Sequence, residues 1–377
     1  MAFFNSGFFK KYLMPGFVFQ SVVIAGGYGT GRELVEYFLN NGPLGGLLGM
    51  FAITAVIWST LLAVTFEFAR TFRTYDYRSL FINLLGRFWF GFEILYFILL
   101  IIVLAVVGSA AGVLLRDNFG IPYLIGVAVV FAAIGFLAFK GSLMIEKFLS
   151  SVSICLYIVF GIFLLISALK FGPLIQQKFA EAIVKPDWVI GGFKYALYNI
   201  AVIPAVLFCI RGLETRKEAL SAGLAAGMIG ILPGFLILCA LIAHYPEVLP
   251  EEVPVVFALS KLNVPIFLYF YLLVLFGALI TTGIGFIHAV NERIQSAFET
   301  KNREFPQWAR PFVAVGLLMT GLALSTFGLI DLIARGYGTT SYGVFLVYVF
   351  PMLTLGLCKI FRHRGSQREK QPYLKKD

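Results

Sequence analysis

Charge is scarce in this chain. Only 13% of its 377 residues are Asp, Glu, Lys or Arg, and just three are His. Soluble domains carry roughly twice that share of charge, so a water-soluble globular protein is excluded. Cysteine is equally sparse. The four present, Cys155, Cys209, Cys239 and Cys358, lie in apolar blocks and none has a CxxC partner. Neither a zinc site nor a disulfide framework is indicated. No Ser/His/Asp set and no phosphate loop occurs, so no catalysis, no ATP-driven pumping and no organic cofactor are expected.

What the chain has is hydrophobic length. It is 59% hydrophobic and contains 40 Phe. The apolar residues fall in blocks of about 20 or more, enough to cross a hydrocarbon core of roughly 30 Å. Alternating β-barrel segments are lacking, so the crossings are helices. Ten are expected, at about 13–39, 43–69, 88–115, 121–139, 146–171, 188–210, 217–244, 264–294, 309–328 and 340–361. The first block holds Glu33 and Glu36 and lacks a small-residue exit, so it is not read as a cleaved signal.

The net charge of +10 does not point to nucleic acid, because the basic residues flank the apolar blocks. On alternate sides of the ten crossings, one side collects 22 Lys and Arg and the other six, with Arg32 and Lys194 inside crossings. Both termini are therefore expected in the cytoplasm, with the basic tail at 362–377. Ten crossings with both ends on one side divide into five and five. That gives two inverted repeats at about 12–172 and 188–361 in a single transmembrane domain spanning 1–377.

The first crossing carries IAGGYGTGRE at 24–33. A helix-interior Gly costs about 1 kcal/mol relative to Ala, and four stand within six residues here. A continuous helix is poorly specified between Ala25 and Gly31. The backbone groups freed by a break must face protein or a polar cavity. The N–H groups near Thr30, Gly31 and Arg32 suit an anionic group, and carbonyls near Ala25–Tyr28 suit a small cation. Gly26, Gly27 and Gly29 complete the proposed substrate gap. The GYG triplets here and at Gly336–Gly338 lack the Thr-Val of a potassium filter.

In the corresponding crossing of the second half, Tyr198 and Asn199 precede Pro204, which removes a helical hydrogen bond. That crossing too is expected to be discontinuous. Intramembrane charges point to function by default. Glu93 and Tyr96 lie in the third crossing and, with Tyr198 and Asn199, are expected to line the substrate site. Arg32 and Glu36 are spaced for an i, i+4 pair, and Arg32, Glu33 and Glu36 are expected to act in gating.

IAGGYGTGRELVEYF resembles the signature of the bacterial YkvI-like membrane proteins. Ten crossings with the first and sixth broken resemble the LeuT-type fold of the amino acid–polyamine–organocation superfamily. The resemblance implies alternating-access transport from the cytoplasmic membrane. It also implies a sodium site joining carbonyls of the first crossing to an A-x-x-T-[S/T] stretch of the eighth, which Ala278, Thr281 and Thr282 match. In proton-coupled relatives a Lys of the fifth crossing replaces sodium, and Lys147 is the nearest match. The expected activity is a sodium-coupled symporter for a small polar or zwitterionic, amino acid-like solute. The alternatives are a proton-coupled transporter or a non-transporting receptor on the same fold. Partners are the solute and the lipid bilayer, with oligomeric state open.

Overall fold

Glycine and proline decide where the helices stop. The computed structural model describes residues 6–23, 26–139, 142–203, 206–299, 306 and 308–370, without the side chains of 138–157, 288, 289, 292, 296, 297, 299 and 364–370. In chain order the helices are α1 (Met14–Val23), α2 (Gly26–Thr30), α3 (Arg32–Tyr37) and α4 (Pro43–Phe72). Then come α5 (Tyr77–Leu85), α6 (Phe90–Phe119), α7 (Tyr123–Phe139), α8 (Ser142–Ala180) and α9 (Trp188–Ile200). The chain continues through α10 (Arg216–Ile242), α11 (Pro254–Ser260), α12 (Pro265–Glu299), α13 (Ala309–Ser325) and α14 (Leu329–His363). No strand occurs among the described residues.

Six stretches are long and apolar enough to cross a bilayer: Pro43–Phe72, Tyr77–Phe119, Ile158–Ala180, Arg216–Ile242, Pro265–Ile287 and Leu329–His363. Tyr123–Leu137 and Ala309–Ser325 are apolar but shorter. Among their described residues the remaining expected crossings, 13–39 and 188–210, show no helix longer than 13 residues. They are the two whose sequences argue for interruption. In the first, α2 ends at Gly31, which is left-handed at φ 75°. A Cβ there would lie 2.7 Å from Val255 Cγ2, so only Gly fits both the dihedral and the space. In the second, α9 stops at Ile200 and the backbone resumes as a 3-10 turn at Leu207–Ile210. Pro204 lies outside the described residues.

The packing has a regular pattern. α1 lies on α10, and α9 lies on α4. α4 and α10 form the most extensive seam. α6 packs on α14 and α12 on α8, while α6 and α12 also pack on each other. α7 rests on α12 and α13 on α6. Small residues allow these approaches. A Cβ on Gly223 would meet the Ala63 backbone at 2.3 Å, and one on Gly192 would meet the Gly49 carbonyl oxygen at 2.4 Å. Buried donors then link the helices. Thr54 Oγ1 donates to the Gly192 carbonyl at 2.9 Å, Trp58 Nε1 to Ala196 at 3.0 Å and Ser59 Oγ to Leu224 at 3.1 Å. Large apolar side chains such as Leu273, Phe312 and Met319 are exposed, as a surface against hydrocarbon requires.

Polar contacts gather at two ends. At one end Lys11 Nζ reaches Glu218 Oε1 at 2.7 Å, Arg70 holds Glu67 and donates to the Glu214 carbonyl, and Lys359 Nζ donates to Asn83. At the other, Arg116 pairs with Glu252 and Lys170 donates to the Leu262 carbonyl. Glu218 belongs to a capping box at the start of α10, with Thr215 Oγ1 accepting from Glu218 N at 3.2 Å and Glu218 Oε2 from Thr215 N at 3.1 Å. Thr215→Ala is expected to cost about 1 kcal/mol, the usual worth of an N-cap. Thermal unfolding in detergent would check this, with a modest fall in midpoint and no loss of the folded species.

Candidate functional site

The break in the first crossing is served by protein groups. Tyr271 of α12 donates its hydroxyl to the Gly29 carbonyl. Gly31 N donates to the Tyr28 carbonyl at 3.0 Å, and Arg32 N donates to Thr30 Oγ1 at 3.2 Å. The N–H groups of Gly31 and Arg32, expected to receive an anion, are therefore already engaged. α2 packs on α12, where a Cβ on Gly29 would lie 2.3 Å from Leu275 Cδ1.

A cavity opens beside the break. Val22, Val23 and Glu33 line it from the first crossing, Tyr96, Leu99, Leu100, Val103, Val106 and Val107 from α6, and Tyr198, Asn199 and Val202 from the α9 region. Phe286 of α12 and Tyr337 of α14 complete the wall. The space open to the centres of water-sized molecules is about 50 Å³. At about 10–15 Å³ for each such centre, that admits about four waters or a solute of similar size.

Of the expected substrate residues, Tyr96, Tyr198 and Asn199 stand together in this wall. Gly26, Gly27, Gly29, Thr30 and Gly31 are not among the lining residues, because the break turns its backbone toward α12 and the residues flanking it face the cavity. Glu33, expected as a gate, is a wall residue, 5% exposed, and accepts the Tyr198 hydroxyl. Tyr198 also stacks on Tyr337, with ring centroids 4.7 Å apart. Asn199 Nδ2 donates back to the Tyr195 carbonyl at 3.1 Å.

Glu93 is placed elsewhere. Its Oε1 lies 3.4 Å from the Tyr77 hydroxyl and 3.8 Å from Arg293 Nε. The Arg293 guanidinium sits 3.8 Å from the centroid of Tyr96 and 4.4 Å from that of Tyr77. Arg293 and Tyr337 were not legible as site residues. Arg293 lies near the end of its helix, where a solvated charge is the ordinary reading, and Tyr337 belongs to the second GYG.

Arg32 is 2% exposed and points away from the cavity. Its Nη1 donates to the carbonyls of Leu249 at 2.7 Å and Glu251 at 2.9 Å, and its Nη2 meets Glu36 Oε2 at 2.7 Å. It therefore ties α3 to the loop between α10 and α11. In that loop, burial lowers the His244 imidazole below its ordinary value and raises the Glu251 carboxyl above its own.

The expected sodium ligands are partly in view. Ala25 and the side chain of Lys147 lie outside the described residues. Thr281 and Thr282 both donate to the Ala278 carbonyl, at 2.8 and 2.9 Å, the common back-bond of Thr in a helix.

No family model matches the chain. It is 24% identical over 364 residues to the uncharacterized membrane protein YkvI of Bacillus subtilis (strain 168), covering 93% of this chain and 96% of that protein. In three dimensions it resembles a mutant of the Eremococcus coleocola manganese transporter, with a TM-score of 0.50 and 14% identity over 93% of this chain and 80% of the other. With its long apolar helices, the chain is a multi-pass, all-helical membrane protein that has the fold of a membrane transporter.

Proposed function

We propose that this protein is a secondary active transporter that moves a small polar solute by alternating access, with sodium as the coupling ion. The observation that carries the reading is the interrupted first crossing standing beside a cavity walled by Glu33, Tyr96, Tyr198 and Asn199. A rigid channel or scaffold needs no such break, whereas a rocking mechanism needs halves that move separately around a fixed site.

The packing supports a 5+5 inverted repeat. Exchanging the first five crossings for the second five turns the α1–α10 contact into α9–α4, and α6–α14 into α12–α8. It turns α7–α12 into α13–α6 and leaves α4–α10 and α6–α12 as pairs. A pseudo-two-fold arrangement has that property, and it is the LeuT-type reading of the chain. The two polar ends sort the basic residues as the charge count does. This supports cytoplasmic termini in a bacterial cytoplasmic membrane.

The neighbour's metal is not carried over. Among the described residues no group of three or more His, Cys, Asp or Glu could hold a metal ion. The sodium site would join carbonyls of Ala25 and Tyr28 to Ala278, Thr281 and Thr282, on elements that pack together. Purified protein in liposomes should accumulate solute under an imposed sodium gradient and not without one. Thr282→Ala should cut sodium-driven uptake by about tenfold or more, the scale of one lost charge-assisted contact. Uptake that ignores sodium in the parent and in this variant would remove the ion assignment. Absence of flux for every solute tried would remove the transporter.

A further inference from the structure

Among the described residues Glu33 has no cationic partner. It is 5% exposed and lines the cavity, and its polar partner is the neutral hydroxyl of Tyr198. Among the described residues no Lys, Arg or His nitrogen lies within 4.0 Å of it, and no Lys or Arg lines the cavity. Two arginines, one adjacent in sequence and one against the wall residue Tyr96, are already committed. Arg32 is held by Glu36 and two carbonyls, and Arg293 lies against Tyr96 with Glu93 beside it. A buried charge is expensive unless paired, so Glu33 holds its charge in this wall only if a cation comes to it.

The remainder of the wall selects the other half. Tyr96, Tyr198, Tyr337 and Phe286 offer aromatic surface, and Leu99, Leu100 and six valines make it apolar. Aromatic faces attract cations, most strongly where water is excluded. Among the described lining residues a carboxylate on the cargo would find no guanidinium or ammonium, and the Gly31 and Arg32 N–H groups at the break are engaged. An amino acid would therefore bury one charge unpaired.

We propose that the cargo is a small organic monocation, an ammonium on a short apolar body with no carboxylate, held by Glu33 and the tyrosines around it. This rests on the transporter reading and names its substrate class. Water-scale room of about 50 Å³ limits the cargo to a handful of heavy atoms.

The test uses the full chain in detergent and probes of matched size: tetramethylammonium and propylammonium as cations, tert-butanol as a neutral isostere, and glycine as a zwitterion. Thermal stability is read against probe concentration, since a ligand of the folded state raises the midpoint by mass action. A saturable rise with one or both cations, and none with tert-butanol or glycine, is expected. Glu33→Gln keeps an acceptor for Tyr198 and should weaken cation binding at least about tenfold, consistent with removal of one buried charge partner. Glycine or tert-butanol binding as tightly as the cations would overturn the proposal. So would cation binding undiminished in Glu33→Gln. Stabilisation by acidification alone, with no response to either cation, would make a proton the occupant and also overturn it. These failures leave the transporter reading intact if liposomes take up some other solute. Cation binding without flux does the reverse, retaining the site and removing the transporter.

Discussion

Arg32→Ala is expected to destroy uptake and to lower stability by about 3 kcal/mol, the scale for stranding buried partners of a charged group. The side chain makes three polar contacts, to Leu249, Glu251 and Glu36, from a position 2% exposed to solvent. Truncation leaves two part-buried carbonyls without their donor and frees α3 from the loop that it anchors. Glu36 is partly solvated, so the loss falls mainly on the carbonyls. Arg32→Lys should rescue little, because a single ammonium cannot span the fork that serves both the loop and Glu36. Uptake in liposomes and thermal unfolding report the two effects separately. An Arg32→Ala protein that unfolds at the parental midpoint and transports normally would show that the tie is ornamental.

Gly223→Leu should prevent folding altogether. Its Cβ would fall 2.3 Å from both the Cα and the N of Ala63, and backbone of a packed helix cannot step aside. The seam between α4 and α10 is the most extensive in the molecule, so its separation propagates to α1 and α9, which rest on those two helices. Gly223→Ala is the milder form and should cost about 1–3 kcal/mol through overpacking. Gly316 in α13 is the control: a Cβ there meets nothing within 4 Å. Gly316→Ala should be neutral or should stabilise by up to about 1 kcal/mol through helix propensity. Yield of monodisperse protein and the unfolding midpoint decide the matter. A well-folded Gly223→Leu protein would mean that the helices pack otherwise.

Helix breaks follow from local covalent preference, and so they were readable in the chain. Four glycines at Gly26–Gly31 argue against a helix there, yet the structure keeps Gly26–Thr30 helical as α2 and interrupts it only at Gly31. Tyr96, Tyr198 and Asn199 were found because a polar group is costly in hydrocarbon wherever its partner stands, so its presence alone marks an interior face. Glu33 and Glu93 obey the same rule, yet their placements were not legible. Glu33 and Arg32 are adjacent on α3 and so point to different sides, Arg32 to the loop between α10 and α11 and Glu33 to the cavity. Glu93 looked like a cavity residue, whereas Arg293, some two hundred positions later, draws it to the other side of Tyr96.

The sequence by itself determined the solvent, the helical class and the points of interruption, since each depends on transfer cost or backbone freedom within one segment. Only the tertiary structure decided which side chains share a cavity and which charges cancel. Those outcomes depend on where helices distant in sequence come to rest, and on the direction in which a broken backbone resumes. That is why the setting of Glu33, with no cation beside it among the described residues, is visible in the fold and nowhere in the string of letters.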